Sequence, residues 1–136
     1  MLKYIDEKEY IKLLGADSIP DDFNRLVIEA SSYINIRTFG RIDIYNIPEQ
    51  VKYATCLIID LINEQNVKLS EIGNLKSQNI EGWSETYSTP DEIKKEYANK
   101  KEIVLKEQLW DVVGKDSNYL LYRGKWLWIR NFLYIK

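Results

Sequence analysis

Apolar residues recur at helical spacing in four stretches of the chain, with glycine, proline and polar clusters between them. Asp6-Glu7-Lys8-Glu9 has the form of a capping box, in which Asp6 accepts from the amide three residues on and Glu9 reaches back. Tyr10, Leu13 and Leu14 then give one apolar face, and Gly15 ends a short helix. A second helix is expected from about Pro20-Asp21-Asp22, because proline fits a first turn and acids suit the positive end of the helix dipole. Phe23, Leu26, Val27, Ala30 and Ile34 follow as one buried stripe. Thr38-Phe39-Gly40 closes it, with Gly40 free to turn left-handed.

Asn46 to Pro48 opens a third helix with the stripe Val51, Ala54, Thr55, Ile58 and Ile62. Cys56, Leu57, Ile59 and Leu61 fill its other faces, and a helix apolar nearly all round belongs at the centre of a core. Asn63 to Ser70 reads as a return to polar solvent. Thr89-Pro90-Asp91-Glu92 signals a fourth helix, with a threonine cap, proline at the first position and glutamate at the third. Its stripe is Ile93 and Tyr97, then Val104, Leu105, Leu109 and Val112, with a break or bend expected at Asn99-Lys100-Lys101 and Gly114 as terminator. The expected fold is mainly α: one domain over 1–136, a small bundle of about four helices around a buried third helix. Its core is expected at about 4–66 and 89–114.

Two stretches depart from that pattern. Residues of about 70–88 alternate polar side chains with Gly82, Trp83 and Tyr87, and polar excursions of this length usually touch something else. Lys76 to Tyr87 is expected to be an extended loop or β-hairpin arm reaching a neighbouring subunit or the next ring, with Trp83 as its anchor. The tail, 119–136, alternates as a short C-terminal strand: Trp126, Trp128, Phe132 and Tyr134 on one side, Leu127, Ile129, Leu133 and Ile135 on the other. Two apolar faces need cover on both. Pairing with the arm, docking on a neighbour and an ordinary core strand all satisfy that need. The candidate protein-interface residues are therefore Lys76, Ser77, Ile80, Gly82, Trp83, Ser84 and Tyr87 in the arm, with Tyr122, Arg123, Trp126, Trp128 and Phe132 in the tail.

Composition narrows the function classes. With 45% hydrophobic and 29% charged residues the chain has the make-up of a globular domain rather than a disordered one. The formal net charge of -2 gives no overall basic field to gather nucleic acid. Charge is uneven, however. Gly114 to Lys136 holds Lys115, Arg123, Lys125, Arg130 and Lys136 against Asp116 alone, whereas six acids face Lys3, Lys8 and Lys12 in the first 22 residues. Opposite ends of this kind suit head-to-tail contact between subunits, although solvated tails are the commoner explanation. Lys3, Asp6, Glu7 and Lys8 interrupt any signal-peptide run, no uncharged span reaches the ~18 residues of a membrane helix, and folding in a reducing cytoplasm is expected.

The chain has no histidine and one cysteine, Cys56, so an internal disulfide and Cys/His zinc spacing are excluded. Histidine-based acid–base and triad chemistry go with them. Gly114-Lys115 and Gly124-Lys125 lack the rest of a phosphate-binding loop. Glu81 and Glu85 form a conceivable carboxylate pair for glycoside chemistry, outweighed by their reading as solvated side chains. No catalytic residue, cofactor or metal is expected. Helices two and three superficially suggest helix-turn-helix, but the helix that should read bases is the most apolar in the chain and carries only Lys52 in its body. The basic aromatic tail leaves one alternative, a small cytoplasmic regulator that binds nucleic acid through its C-terminal end.

Five motifs in one order carry a resemblance. They are Tyr4-Ile5-Asp6-Glu7-Lys8-Glu9-Tyr10; Ala30-Ser31-Ser32-Tyr33-Ile34 through Thr38 with Gly40-Arg41; Val51-Lys52-Tyr53-Ala54-Thr55-Cys56; Ser77-Gln78-Asn79-Ile80 with Gly82, Ser84 and Tyr87; and Leu120-Leu121-Tyr122-Arg123-Gly124. In that order they resemble the head–tail connector (adaptor, head-completion) proteins of tailed bacteriophages of Gram-positive hosts. The resemblance covers about residues 4 to 124. It departs from the family pattern at Glu81, between Ile80 and Gly82, at Asn99 to Asn118, and in the aromatic tail. It implies a mainly helical virion subunit, assembled in the host cytoplasm into a ring, dodecameric in the virion, beneath the capsid portal. Such a ring would extend the DNA channel without sequence-specific binding and offer a surface to the head-closure or tail-side protein.

Overall fold

The computed structural model describes residues 1–77 and 89–123 and contains four helices: α1 (Glu7–Leu14), α2 (Phe23–Arg37), α3 (Glu49–Ser77) and α4 (Pro90–Leu109). The protein is the mainly helical bundle expected, and α3 packs against each of the other three helices. Val51, Ala54, Cys56, Ile58 and Ile59 are fully or almost fully buried, as a helix apolar on most faces requires. Among the described residues there is no sheet, only an isolated antiparallel bridge between Val113 and Tyr119. The hairpin region from 78 to 88 and the strand region from 124 to 136 lie outside the described residues.

Local signals near the N-terminus act as expected. The Glu9 amide donates to Asp6 Oδ1 at 2.8 Å, and the Asp6 amide donates to Glu9 Oε1 at 3.2 Å. Gly15 takes the left-handed conformation that closes α1. Asp6→Ala removes the cap and is expected to cost about 1 kcal/mol, read as a lower midpoint in urea with an unchanged slope.

Two element boundaries differ from the sequence expectation, each for a visible reason. Helix α2 begins at Phe23, because Asp22 takes a left-handed φ of 59° and its side chain makes no cap bond. Aspartate tolerates that conformation, and the turn delivers Phe23 edge-on to Tyr10 with ring centroids 5.3 Å apart. Helix α4 runs without interruption through Asn99-Lys100-Lys101 and ends at Leu109, five residues before Gly114. There Tyr97 is fully buried, and the Lys100 and Lys68 ammonium groups lie 4.5 and 5.3 Å from its ring centroid.

The larger correction concerns α3. Asn63 to Ser70 does not leave the helix, which continues for 29 residues to Ser77. Its second half keeps a narrow apolar line, Leu61, Leu69 and Ile72, packed on Ile93 and Tyr97 of α4. Spacings of eight and eleven residues fall on one helical face, so the polar residues between them are the solvated side of an amphipathic helix. Residues 70–77, Lys76 and Ser77 included, are helical rather than part of an extended arm.

A candidate protein interface at one end of the bundle

The C-terminal segment returns to the connection between α2 and α3 and is fastened there by one side chain. Residues 113–119 close a tight turn, with the Gly114 amide donating to the Asn118 carbonyl at 2.8 Å. The Leu120 amide donates to Val112 O at 2.8 Å, and Asp116 Oδ1 accepts from the Asn118 amide at 3.1 Å. Arg41 joins this turn to the bundle. Its Nη1 donates to the carbonyls of Tyr119 at 3.1 Å, Leu120 at 3.4 Å and Tyr122, and its Nε pairs with Asp116 Oδ2 at 3.0 Å. The guanidinium also faces two rings, Phe39 at 4.9 Å and Tyr122 at 5.4 Å. The main chain adds a strut, since the Lys115 amide donates to Arg41 O at 2.9 Å.

Gly114 makes that approach possible. A Cβ there would sit 2.7 Å from Arg41 Cβ and 2.8 Å from Arg41 O. The glycine expected as a helix terminator is instead a site of close backbone contact. Gly114→Ala forces the turn away from Arg41 and is expected to cost about 2 kcal/mol, the scale of an overpacked core site, measured by urea unfolding.

Burial alone would raise the Asp116 carboxyl. The Asn118 backbone and side-chain N–H groups and the Arg41 guanidinium outweigh it and hold the pKa below the ordinary 3.8. A depressed carboxyl contributes stability that is present above its unfolded pKa and lost as pH falls through its folded one. The Asn118 and Lys115 amide resonances are therefore expected to titrate with a midpoint below pH 3.8, and Asp116→Asn to abolish that step.

The two segments that meet at this fastening carry exposed apolar side chains. Phe39, Ile44 and Tyr45 in the α2–α3 connection are exposed, Tyr45 at 92%, as are Trp110, Val113 and Tyr119 in the segment after α4. Exposed aromatic and aliphatic side chains on the two segments that Arg41 joins make this end the candidate interaction surface. Elsewhere the groups with chemistry are committed to packing. Cys56 is buried on α3, and burial, with Asp60 and Glu9 nearby, pushes its thiol up to about 12. Tyr10 donates its hydroxyl to Asp60 at 2.5 Å. Among the described residues no three His, Cys, Asp or Glu side chains are grouped to hold a metal ion, and no helix is long and apolar enough to cross a membrane.

Four of the interface residues expected from sequence fall among those described. Tyr122 is half-buried against Arg41, and Arg123 is exposed at the edge of the same assembly. Lys76 and Ser77 are the last two residues of α3. At 1.5 Å per residue that helix is about 43 Å long, so the two groups stand at opposite ends of the bundle rather than together. Ile80, Gly82, Trp83, Ser84, Tyr87, Trp126, Trp128 and Phe132 lie outside the described residues. Sequence reasoning missed the organising role of Arg41 and the exposure of Phe39, Ile44, Tyr45 and Trp110. The available signal was Ile44-Tyr45, an apolar pair inside a short loop.

Comparison with protein-family models, with curated proteins and with solved structures finds no match for this chain.

Proposed function

We propose that this chain is a structural subunit of a phage head–tail junction, a connector that assembles as a closed ring beneath the portal. In this reading it carries no catalytic site. It extends the channel through which DNA passes and offers its free face to a head-closure or tail-side protein. A head-to-tail ring needs two different patches on each subunit that fit one another. The exposed apolar side chains on the two segments that Arg41 joins serve as one of them.

One observation carries the reading: motifs that resemble the connector family, though far apart in sequence, contact each other in the fold. Gly40-Arg41 holds Leu120-Leu121-Tyr122 through two carbonyls, those of Leu120 and Tyr122. Tyr4 of the first motif donates its amide to Ser31 Oγ of the second at 3.0 Å, and its hydroxyl to Asn35 Oδ1 at 3.4 Å. Val51, Ala54 and Cys56 of the third fill the core between them. Four of the five motifs therefore belong to one packed unit, while the fourth lies beyond Ser77, outside the described residues.

Deleting the gene from the encoding phage or prophage genome tests this. Heads and tails should accumulate unjoined, and supplying the chain from a plasmid should restore joined particles. Normally joined particles in its absence would overturn the proposal.

A further inference from the structure

Helix α4 buries Tyr97, Leu105 and Leu109 on one side and leaves Ile103 and Trp110 exposed on the other. The exposed pair are seven residues apart, about two turns, and so share one line along the helix and its cap. Lys106 and Glu107 fall beside that line, and neither makes an ion pair among the described residues. Trp110, 68% exposed, is the larger of the two uncovered side chains.

At the start of α2 a groove of about 420 Å³ lies between that helix and the N-terminal segment. Ile5, Phe23 and Val27, each almost fully covered, form its floor, and the exposed Lys3, Glu7 and Lys8 stand on its banks. Lys3 is directed to Asn24, whereas Glu7 and Lys8 make no ion pair among the described residues. An apolar floor ringed by polar side chains is the setting in which a single aromatic anchor binds best.

We propose that this groove receives Trp110 of a second copy of the chain. The inference rests on the ring reading, for which it supplies the second of the two patches. The chemistry of the groove suits an indole. Glu7 offers an acceptor for its N–H, and the Lys8 ammonium offers a cation for its face. Charge is complementary too, since the unpaired Lys106 and Glu107 beside Trp110 meet an unpaired Glu7 and Lys8 on the banks.

Placement in the fold agrees. Trp110 stands two residues before Val112, whose carbonyl accepts from Leu120 in the turn that Arg41 fastens just beyond the end of α2. The groove opens at Phe23, the first of the 15 residues of that helix, which is about 22 Å long. The two features therefore belong to opposite ends of α2, and a contact between different patches is what a head-to-tail ring requires.

The test replaces Trp110 in the full chain with the photo-crosslinker p-benzoylphenylalanine, itself a large aromatic. An otherwise identical protein with the crosslinker at Val67, 50% exposed on α3, is the control. An equal mixture of unlabelled and ¹⁵N-labelled chains is irradiated at high concentration and its crosslinked peptides are read by mass spectrometry. Crosslinks from position 110 should reach peptides containing 3–8 or 23–27 with a yield at least tenfold above the control, and mixed isotopic pairs should be as frequent as unmixed ones. A yield equal to the control would overturn the proposal, as would crosslinks with both ends always in one isotopic species. Rings on the portal whose position 110 crosslinks to other peptides would sink this contact and leave the connector reading standing. The expected crosslinks beside a portal that stays bare would do the reverse.

Discussion

Tyr97→Ala is expected to destabilise the protein by about 3–5 kcal/mol, the range found when a large buried ring is truncated. Tyr97 is fully buried and is the largest side chain in the second, smaller cluster, where Ile93 of α4 meets Ile72 of α3 with Leu61 and Leu69 alongside. Its hydroxyl donates to Glu64 Oε2 at 3.0 Å, and Lys68 and Lys100 lie near its ring. Truncation would leave a cavity between two helices that have little else to hold them at that end. The loss should be local as well as large. Hydrogen exchange should quicken across 61–77 and 89–97, while amides of 51–59, packed in the main core, keep their protection. Tyr97→Phe retains the ring and should cost only about 1 kcal/mol, the worth of one hydrogen bond.

Arg41→Ala is expected to cost about 2–4 kcal/mol and to release the segment 110–123. The Arg41 side chain is only 13% exposed, and it is bonded to three carbonyls, of which that of Tyr119 also accepts from the Tyr122 amide at 3.0 Å. Removing the guanidinium takes a charged donor from part-buried acceptors at Leu120 and Tyr122, and a buried acceptor that loses its donor costs about 1–3 kcal/mol. The ion pair with Asp116, which is 42% exposed, adds little, because solvent screens it. Trypsin should then cut at Lys115 and Arg123 many times faster than in the parent protein, with the helical circular dichroism signal largely kept. Arg41→Lys should rescue little, because an ammonium group lacks the planar fork that reaches several acceptors at once. Equal proteolysis of Arg41→Ala and the parent protein would show that the segment is held by other contacts.

Much of the helical core was legible because the chain marks it redundantly. Asp6 and Glu9, Gly15, Thr89 and Pro90 each mark a helix end with local chemistry, and the stripe from Phe23 to Ile34 names the buried face of α2. The second half of α3 was not legible by the same means. Its apolar line is only Leu61, Leu69 and Ile72, and it becomes a core face only when Ile93 and Tyr97 arrive from α4. Tertiary partners therefore turned an apparently polar stretch into a helix, which shortened the expected arm by the residues from 70 to 77. The start of α2 also differs from the expected Pro20-Asp21-Asp22. The acids Asp21 and Asp22 suit a first turn, yet the left-handed backbone at Asp22 leaves both just before it.

The candidate interface was legible only at its C-terminal half. Tyr122 and Arg123 stood out through the apolar tail that they precede, and Tyr122 packs on Arg41. Arg41 itself gave no sign of its role, because a lone arginine after a helix-ending glycine is ordinary surface chemistry. Its importance comes from a partner about eighty residues away in sequence, and from a glycine at 114 whose missing Cβ leaves room for the contact.

Electron microscopy of the purified chain mixed with the portal protein encoded by the same genome tests the connector assignment most directly. The account predicts a closed ring of four-helix subunits seated on one end of the portal and coaxial with its channel. A portal that stays bare at saturating concentrations of the chain would contradict it.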